Sequence, residues 1–341
     1  MEKLHDWFEK CKRDFPWRVD RSPYKVWISE VMLQQTRASV VIPYFDRWIE
    51  LFPNVQVLAA ADIETIIKAW EGLGYYSRAR NLHLAAKEIV AKFGGQIPSF
   101  RGELETIPGL GSYTVGAILS FGFRQRAPAV DGNVARVVSR YFCIEENICR
   151  SSAKSKIHNL AENLLDQHEP WITAEALIEL GAMVCSVRPR CETCPLREKC
   201  LAYRQNKVEM LPIKNEEKRI IPLQRAVVII EFQGKVLLKK GEAGKVMADL
   251  YEFPYFEMRN ERWSSKTIIR SVENNFGFKV GFVEMLPEAK HTFTCYKVSL
   301  YPIRLLAEEM REVESFSWVS VDRLKELPFS SGHRKILRVA F

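Results

Sequence analysis

The sequence Ile107-Pro-Gly-Leu-Gly-Ser-Tyr-Thr-Val-Gly116 sets two closely spaced glycines directly before a stretch that favours a helix. A glycine hairpin that opens a helix leaves several backbone N–H groups without an intrahelical partner, and such a terminus suits a phosphate group. Gly109 and Gly111 are therefore candidate phosphate-contacting residues. Glycine-rich helix starts are common, so the pattern alone leaves a plain tight turn as an equal alternative.

Around this hairpin, a helical period of apolar residues runs from Asp6 to about Ala202. Residues three and four positions apart are apolar in Ile63–Trp70, in Leu82–Phe93 and in Ile157–Leu165. Glycines and prolines separate these stretches, as expected for short connections between packed helices. The pattern predicts an all-α domain over residues 1–202.

Beyond residue 202 the sequence changes character. Residues 203–224 are polar and basic and are interrupted by proline, which is typical of a linker. After the linker the apolar period falls to two, with one helix, containing Ile268 and Phe276, between the strands. The predicted strands are Ala226–Glu231 and Lys235–Lys240, joined by a hairpin at Gln233-Gly234, and Thr292–Leu305. We therefore expect a multidomain protein whose second domain, 225–341, is α+β.

The bulk properties point to a polyanionic partner. The 341 residues carry a formal net charge of +8, which favours nucleic acid over a membrane surface. The N-terminal residues contain no apolar stretch typical of a signal peptide, and no run is long enough to cross a bilayer. These features predict a cytoplasmic protein without a membrane partner.

Four cysteines follow the pattern C-x5-C-x2-C-x5-C: Cys185, Cys191, Cys194 and Cys200. Thiolates from one short segment can complete the shell of a metal ion or of an iron–sulfur cluster. Sites with four cysteine ligands most often hold zinc. The spacing by itself therefore modestly favours zinc and leaves the cluster open.

The hairpin, the downstream Val130-Asp-Gly-Asn-Val134 and the cysteines together resemble the helix-hairpin-helix DNA glycosylase superfamily, whose cysteine-bearing members carry a [4Fe–4S] cluster. Two longer stretches, Val26-Trp-Ile-Ser-Glu-Val-Met-Leu-Gln-Gln-Thr36 and Gly72-Leu-Gly-Tyr-Tyr-Ser-Arg-Ala-Arg-Asn-Leu82, narrow the resemblance to adenine DNA glycosylases of the MutY type. The resemblance covers nearly the whole chain. It implies that the four cysteines hold a [4Fe–4S] cluster.

Hydrolysis of an N-glycosidic bond requires an acid for the leaving base and an anion for the oxocarbenium-like sugar. Glu30 and Asp131 can supply this pair. Glu30 lies on a predominantly apolar helix, where burial raises a carboxyl pKa and keeps the group protonated. The resemblance assigns Glu30 the role of acid toward adenine N7 and Asp131 that of stabilising the cation and the incoming water. Taken alone, Asp131 is equally a helix N-cap.

The resemblance also implies the residues around the reacting base: Tyr113 and Asn133 hydrogen-bond in the site, and Trp17, Arg18 and Glu175 surround the extruded adenine. From the sequence alone, the aromatic residues are equally plausible in the core and the charged ones on the surface. Endonuclease III has a lysine nucleophile at the position of Tyr113. The tyrosine therefore predicts a monofunctional glycosylase that leaves an abasic site, with an endonuclease III-like lyase as the alternative.

The implied substrate is double-stranded DNA that contains an A:8-oxoguanine or A:G mispair, bound by a monomer. The adenine must leave the helix, at a cost of a few kcal/mol. Side chains then fill the gap around the opposite purine, and the resemblance assigns this role to Gln35, Thr36, Leu73 and Tyr75.

The second domain resembles the Nudix-like domain of the same glycosylases, which inspects 8-oxoguanine. Phe293 and Thr294 match its lesion-contacting motif, and Cys295 stands where the family has histidine. The stretch Arg270-Ser-Val-Glu-Asn-Asn-Phe-Gly277 replaces the carboxylates of an active Nudix box with neutral side chains. Because these cannot hold Mg²⁺ in the same way, we expect a reader without hydrolase chemistry.

A second departure from the family lies between Cys185 and Cys191, where five residues replace the usual six. It affects the conformation of the loop that carries Arg188 and Arg190, two candidate phosphate contacts, more than the presence of the cluster. A third function class also stays open at this point: a non-catalytic DNA-binding protein stabilised by zinc.

Overall fold

The protein is described by a computed structural model over residues 1–214, 220–242, 244–258 and 264–341. Residues 215–219 of the expected linker, with its basic Lys218 and Arg219, lie outside the described residues. The chain forms two compact units: Met1–Ala60 with Asn81–Glu216, and Ala61–Arg80 with Glu217–Phe341. Among the described residues, no helix combines the length and apolar character needed to span a membrane.

The first unit is all-helical, as predicted. The α-helices that come before the first β-strand are, in chain order, α1 (Glu2–Cys11), α2 (Pro16–Val19), α3 (Pro23–Leu33), α4 (Ala38–Leu51), α5 (Val55–Ala60), α6 (Ile63–Ala69), α7 (Ser77–Phe93), α8 (Arg101–Leu104), α9 (Ser112–Ala117), α10 (Gly132–Tyr141), α11 (Ser151–Leu164), α12 (Pro170–Met183) and α13 (Leu201–Arg204). A π-helical turn, Ile118–Gly122, extends α9. Helix α6 belongs to the second unit, and α7 begins in the second unit and continues in the first.

Helices α10 and α12 approach each other closely, and this contact places two functional segments together. A Cβ atom on Gly181 would lie 2.6 Å from Cβ of Asn133, so only glycine allows α12 to pass so near the start of α10. Val137 and Val138 of α10 pack with Leu180 of α12 in one buried cluster. The start of α10 is therefore fixed against α12, the helix that ends two residues before Cys185.

The second unit contains a mixed sheet. Its strands are β1 (Ile221–Phe232), β2 (Lys235–Lys240), β3 (Tyr251–Glu252), β4 (Tyr255–Glu257), β5 (Val280–Met285), β6 (Ala289–Phe293), β7 (Tyr296–Ala307) and β8 (Phe316–Ser320), with helices α14 (Ser265–Phe276) and α15 (Ser331–Ala340). The main order is β3-β2-β1-β7-β5, while β4 pairs with β1, β6 with β7 and β8 with β2. Strands β1 and β7 are parallel, and the other pairs are antiparallel.

Both faces of this sheet are covered, which explains the continuous apolar run in β1. Val227 and Ile229 point into a core with α15, whereas Val228 and Ile230 point into a second core with α14. Alternate residues of a strand project to opposite faces, so a strand buried on both sides is apolar throughout. The α+β prediction for this half is confirmed.

Two strand predictions have different outcomes. The hairpin at Gln233-Gly234 is confirmed, with Phe232 opposite Lys235 and positive φ at both turn residues. The strand-like character of Thr292–Leu305 is also confirmed, but the chain turns at Thr294 (φ +49°) and forms the separate strands β6 and β7. Strong β propensity on both sides concealed this turn.

The compact units depart from the expected linear division at Ala61–Arg80. The predicted boundaries kept this segment within domain 1–202, but its contacts group it with the C-terminal residues. Periodicity could not indicate this, because the grouping of this segment depends on specific polar contacts with residues far along the chain.

Candidate active site

Helix α3 carries Glu30 into the interior of the first unit. The helix begins after Ser22, whose hydroxyl accepts a hydrogen bond from the amide of Lys25 at 3.3 Å, and most of its residues are buried. Glu30 is 8% exposed, and its carboxylate accepts a hydrogen bond from the Tyr113 hydroxyl. Burial raises the pKa of Glu30 to about 7, opposed by the Tyr113 hydrogen bond and reinforced by the charge of Asp131. Glu30 is therefore suited to donate a proton near neutral pH.

Asp131 is the N-cap of α10. Its Oδ1 accepts from the Val134 amide at 2.8 Å, and its Oδ2 accepts from Nδ2 of Asn133 at 2.7 Å. Burial raises the pKa of Asp131, and these hydrogen bonds act in the opposite direction. The capping interpretation is thus correct, but it leaves the carboxylate on the wall of a cavity, where its ionised form is stabilised by the start of the helix.

One cavity of about 910 Å³ in the first unit brings together the predicted catalytic and adenine-contacting residues. Its lining includes Glu30, Asp131, Tyr113, Asn133, Trp17, Arg18, Glu175, Gln35 and Thr36. Trp17 stacks on Phe15 with ring centroids 4.7 Å apart. It is therefore both a buried aromatic and a wall of the cavity.

Arg18 and Glu175 form part of a buried ionic network. Nε of Arg18 lies 2.6 Å from Oε1 of Glu175, and Nη2 of Arg18 lies 3.0 Å from Oε2 of Glu179. Arg13 pairs with Glu179 and Arg21 with Glu175. The alternative of solvated helix charges is wrong for this pair, since the side chains of Arg18 and Glu175 are 12% and 10% exposed.

Sequence reasoning missed Arg13, Arg21 and Glu179. A signal was present, because Glu175 and Glu179 are four residues apart and share one face of the mostly apolar helix α12. Burial would raise the pKa of Glu179, but the hydrogen bonds and charges of Arg13 and Arg18 hold it below its ordinary value. This network fixes charged groups at one end of the cavity.

The glycine hairpin precedes α9. Gly109 has φ +83°, and a Cβ there would lie 2.7 Å from Cβ of Asn81, so a larger residue cannot replace it without a shift. Gly111 is exposed and is the N-cap residue of α9. The predicted glycine turn at a helix start is therefore present.

The four cysteines line one small cavity of about 30 Å³. Cys185 follows α12, and short 3-10 turns separate the other three. Burial raises the pKa of Cys194 to about 11. In the described part of the chain, no three His, Cys, Asp or Glu side chains are spaced for a single metal ion. Arg188 and Arg190 are exposed on the adjoining loop.

A second cavity, of about 660 Å³, lies in the second unit. It is lined by Tyr75 together with Phe293 and Thr294, three residues that the sequence divided between two domains. Tyr75 is 46% exposed, whereas Leu73 is 6% exposed and does not present its side chain to solvent. His291, which lies in the same strand-start motif as Phe293, also lines this cavity, and so does Ser331, which was not predicted.

Comparison with known proteins gives both halves a family. Residues 28–178 match the HhH-GPD superfamily of base excision DNA repair proteins, and residues 225–339 match the NUDIX domain. The adenine DNA glycosylase of Buchnera aphidicola subsp. Baizongia pistaciae is 34% identical over 91% of this chain and 86% of its own length. The chain belongs to the adenine DNA glycosylases. The human adenine DNA glycosylase is 30% identical over 98% of this chain and 73% of its own length.

The adenine DNA glycosylase resemblance inferred from the sequence is therefore confirmed, as is the fold class. Among solved structures, a thermostable thymine-DNA glycosylase covers 60% of this chain and 94% of its own, with 27% identity and a TM-score of 0.55. An endonuclease III–DNA complex, at 24% identity and a TM-score of 0.51, shares the fold of the helical part. Adenine DNA glycosylases act in base excision repair, and the cavity around Glu30 and Asp131 belongs to the matched part of this one.

Proposed function

We propose that this adenine DNA glycosylase hydrolyses the N-glycosidic bond of adenine mispaired with 8-oxoguanine or guanine in double-stranded DNA and leaves an abasic site. The observation that carries the proposal is the pairing of Glu30 and Asp131 in one cavity. Burial raises the pKa of Glu30 to about 7, so that a large fraction carries a proton at neutral pH, whereas the hydrogen bonds from Val134 and Asn133 oppose the effect of burial on the pKa of Asp131. Two carboxyl groups in contrasting environments support opposite roles.

In this mechanism, Glu30 donates its proton to N7 of the extruded adenine, so that the base leaves as a neutral species. The bond between C1′ and the base breaks, and Asp131 stabilises the positive charge that develops on the sugar. Asn133 keeps Asp131 oriented through the 2.7 Å hydrogen bond. Water then attacks C1′ and gives one proton to the Glu30 carboxylate, which restores the acid and leaves a hydroxyl group on the sugar.

Recognition of the adenine is assigned to the ionic network and the adjoining indole. Arg18 and Glu175 supply a donor and an acceptor at the same end of the cavity, and Trp17 supplies a flat apolar wall. Since both charged groups are already paired, they are pre-organised and lose little entropy when the base binds.

Tyr113 supports a monofunctional reaction. Lyase relatives hold a lysine at this hairpin position, whose amine forms a Schiff base with C1′ of the sugar. The phenol of Tyr113 cannot form one, and its proton is committed to Glu30. Strand cleavage is therefore expected only after alkali treatment of the abasic product.

We assign a [4Fe–4S] cluster to the four cysteines. Four thiols around one cavity provide the donor set that such a cluster requires. When bound, it would hold together the segment that carries the four cysteines, and with it the loop of Arg188 and Arg190, which we assign to phosphate contacts together with Gly109 and Gly111. Iron and sulfide analysis of the purified protein tests this assignment; zinc in place of iron would overturn it.

The second cavity is assigned to the purine opposite the adenine, with Tyr75, Phe293 and Thr294 as its contacts. Gln35 and Thr36, on the rim of the first cavity, are assigned to the gap left by the extruded base. The buried Leu73 can share that role only if its turn changes conformation.

The decisive experiment is a single-turnover assay on duplexes containing A:8-oxoguanine, A:G or A:T, with the protein as a monomer and with parallel samples treated with alkali. We expect base release from both mispairs and strand breaks only after alkali. Breaks without alkali would favour the endonuclease III-like alternative. An absence of base release would favour a non-catalytic DNA-binding protein.

A further inference from the structure

Glu71, just after α6, accepts hydrogen bonds from several groups of the second unit. Its Oε1 accepts hydrogen bonds from the Phe329 amide at 2.9 Å and from Nε of Arg334 at 2.7 Å. Its Oε2 accepts from Nη2 of Arg334 at 2.9 Å and from Nζ of Lys68 at 2.9 Å. The side chains of Glu71 and Arg334 are 17% and 15% exposed. A two-pronged, largely buried arginine–carboxylate pair is directional as well as strong.

Other contacts hold the same segment in place. Nζ of Lys68 donates to the carbonyl oxygens of Lys325 at 2.7 Å and Leu327 at 3.1 Å. The Tyr76 hydroxyl lies 3.4 Å from the Phe329 carbonyl oxygen and 3.4 Å from the Gly72 amide. Glu71 differs from Lys68 and Tyr76 in that it binds both the Arg334 side chain of α15 and the backbone of Phe329, just before that helix.

Glu71 directly precedes the turn that carries Tyr75. This turn has positive φ at Gly72, Gly74 and Tyr75, conformations that are disfavoured for tyrosine and need support from their surroundings. Nε1 of Trp70 donates to the Gly74 carbonyl at 3.1 Å. The turn is thus fixed internally, and Glu71 fixes it to α15.

Helix α15 leads from Arg334 to the opposite wall of the second cavity. Ser331, in its first turn, lines the cavity and shares a 3.4 Å hydrogen bond with Nδ1 of His291. A Cβ on Gly332 would lie 2.8 Å from the His291 ring, so the helix start and β6 are in close contact. Strand β6 ends at Phe293, next to Thr294, and both line the cavity. Helix α15 therefore contacts β6 directly and the turn of Tyr75 through Glu71.

We infer that Glu71 is a positioning residue for base discrimination: through Arg334 and α15 it sets the spacing between Tyr75 and the Phe293–Thr294 turn. The inference rests on the proposed function, because it concerns the cavity assigned to the opposite purine. A cavity that must distinguish 8-oxoguanine from guanine depends on the position of its walls to within a fraction of an ångström. Loss of the pair loosens the spacing without touching the chemical groups at Glu30.

The test compares Glu71→Gln with Glu231→Gln. The control residue also binds an arginine with both carboxylate oxygens, Arg304 in the same unit, and its side chain is 19% exposed. Dissociation constants are measured on duplexes with 8-oxoguanine or guanine opposite an adenine nucleotide that resists hydrolysis. Single-turnover rates are measured at saturating enzyme on cleavable duplexes.

We expect Glu71→Gln to reduce the ratio of the two dissociation constants by about three- to tenfold, with a change in the saturated rate of less than about twofold. Glu231→Gln should leave the ratio unchanged. Arg334→Gln should match Glu71→Gln, and the double variant should cost no more than either single one. An unchanged ratio in Glu71→Gln, or equal losses in Glu71→Gln and Glu231→Gln, would overturn the inference.

Tyr76→Phe provides a milder variant in case Glu71→Gln unfolds. It removes only the hydroxyl that bridges Gly72 and Phe329, and we expect a smaller loss in the same ratio. An unchanged ratio in a folded Tyr76→Phe would count against the inference in that case. If the unmodified protein releases adenine but does not distinguish 8-oxoguanine from guanine, the assigned role of the cavity fails and this inference falls with it. If the unmodified protein discriminates and the variants do so equally well, only the inference fails.

Discussion

The Tyr113 hydroxyl group donates its hydrogen bond to the Glu30 carboxylate. This hydrogen bond links the first turn of α9 to the C-terminal half of α3. A hydrogen bond to the ionised form lowers a carboxyl pKa, yet burial outweighs it, and the pKa of Glu30 is about 7. The hydrogen bond from Tyr113 therefore limits the increase in the pKa of Glu30 that burial causes.

Glu30→Gln should bind mispaired duplex with unchanged affinity and release adenine about 10²–10⁴-fold more slowly. The amide has nearly the same shape as the carboxyl group but cannot donate a proton as an acid. Single-turnover rates and dissociation constants check this, with Glu9→Gln, on an exposed face of α1, as the control. A wild-type rate would remove Glu30 from the mechanism.

The single-turnover rate should decline as the pH rises through about 7. Glu30 must carry its proton to act as the acid, and its folded-state pKa is about 7, so the active fraction is lost above that value. Asp131 must be ionised, so the rate also declines on the acidic side, where Asp131 takes up a proton. The residual activity of Glu30→Gln should no longer decline as the pH rises through about 7. If the decline persists in this variant, the group that titrates is not Glu30.

Tyr113→Lys should yield a covalent adduct with DNA that borohydride can trap, because it restores an amine where lyase relatives have one. The amine must lose its proton to react, and the buried site favours its neutral form. Gel analysis after reduction provides the measurement, with Tyr113→Phe as the control. If no adduct forms, the shape of the cavity, rather than the nucleophile alone, controls strand cleavage.

Cys194→Ser should lower iron content and weaken DNA binding. A cluster that lacks one thiolate is prone to loss, and the Arg188–Arg190 loop then loses its anchor. Iron analysis and binding titrations test this, with exposed Cys149→Ser as the matched control. Full iron content together with normal affinity in Cys194→Ser would contradict the assignment.

Cys295→His should raise discrimination between A:8-oxoguanine and A:G by up to about tenfold. The expected gain corresponds to one hydrogen bond of roughly 0.5–1.5 kcal/mol. Position 295 lies in the turn between β6 and β7, next to Thr294, which lines the second cavity. The rate on bound, extruded adenine should stay the same. An unchanged discrimination ratio would indicate that Thr294, His291 or Tyr75 already supplies recognition.

The sequence indicated Glu30, Asp131 and the hairpin because their motifs are local, whereas Trp17, Arg18 and Glu175 came only from the family resemblance. Glu30, Asp131 and the hairpin each lie in a short stretch whose pattern indicates a helix or a helix start. Arg13 and Glu179 escaped notice because an ion pair between residues so far apart leaves no periodic signal. The strand break at Thr294 was missed for a related reason, since a non-glycine residue with positive φ has no reliable sequence signature.

The grouping of Ala61–Arg80 with the C-terminal residues affects how the two halves can be exchanged between relatives. A chimera joined at residue 203 would combine the Tyr75 turn of one parent with helix α15 of the other. Glu71 would then pack against a helix from a different protein, in which the partner of the Glu71 carboxylate can differ. The transferable module is discontinuous: it comprises the C-terminal half together with twenty residues embedded in the helical half. A chimera intended to transfer the properties of the second unit between relatives must therefore exchange both segments, because the boundary between the two units does not coincide with a single position in the sequence.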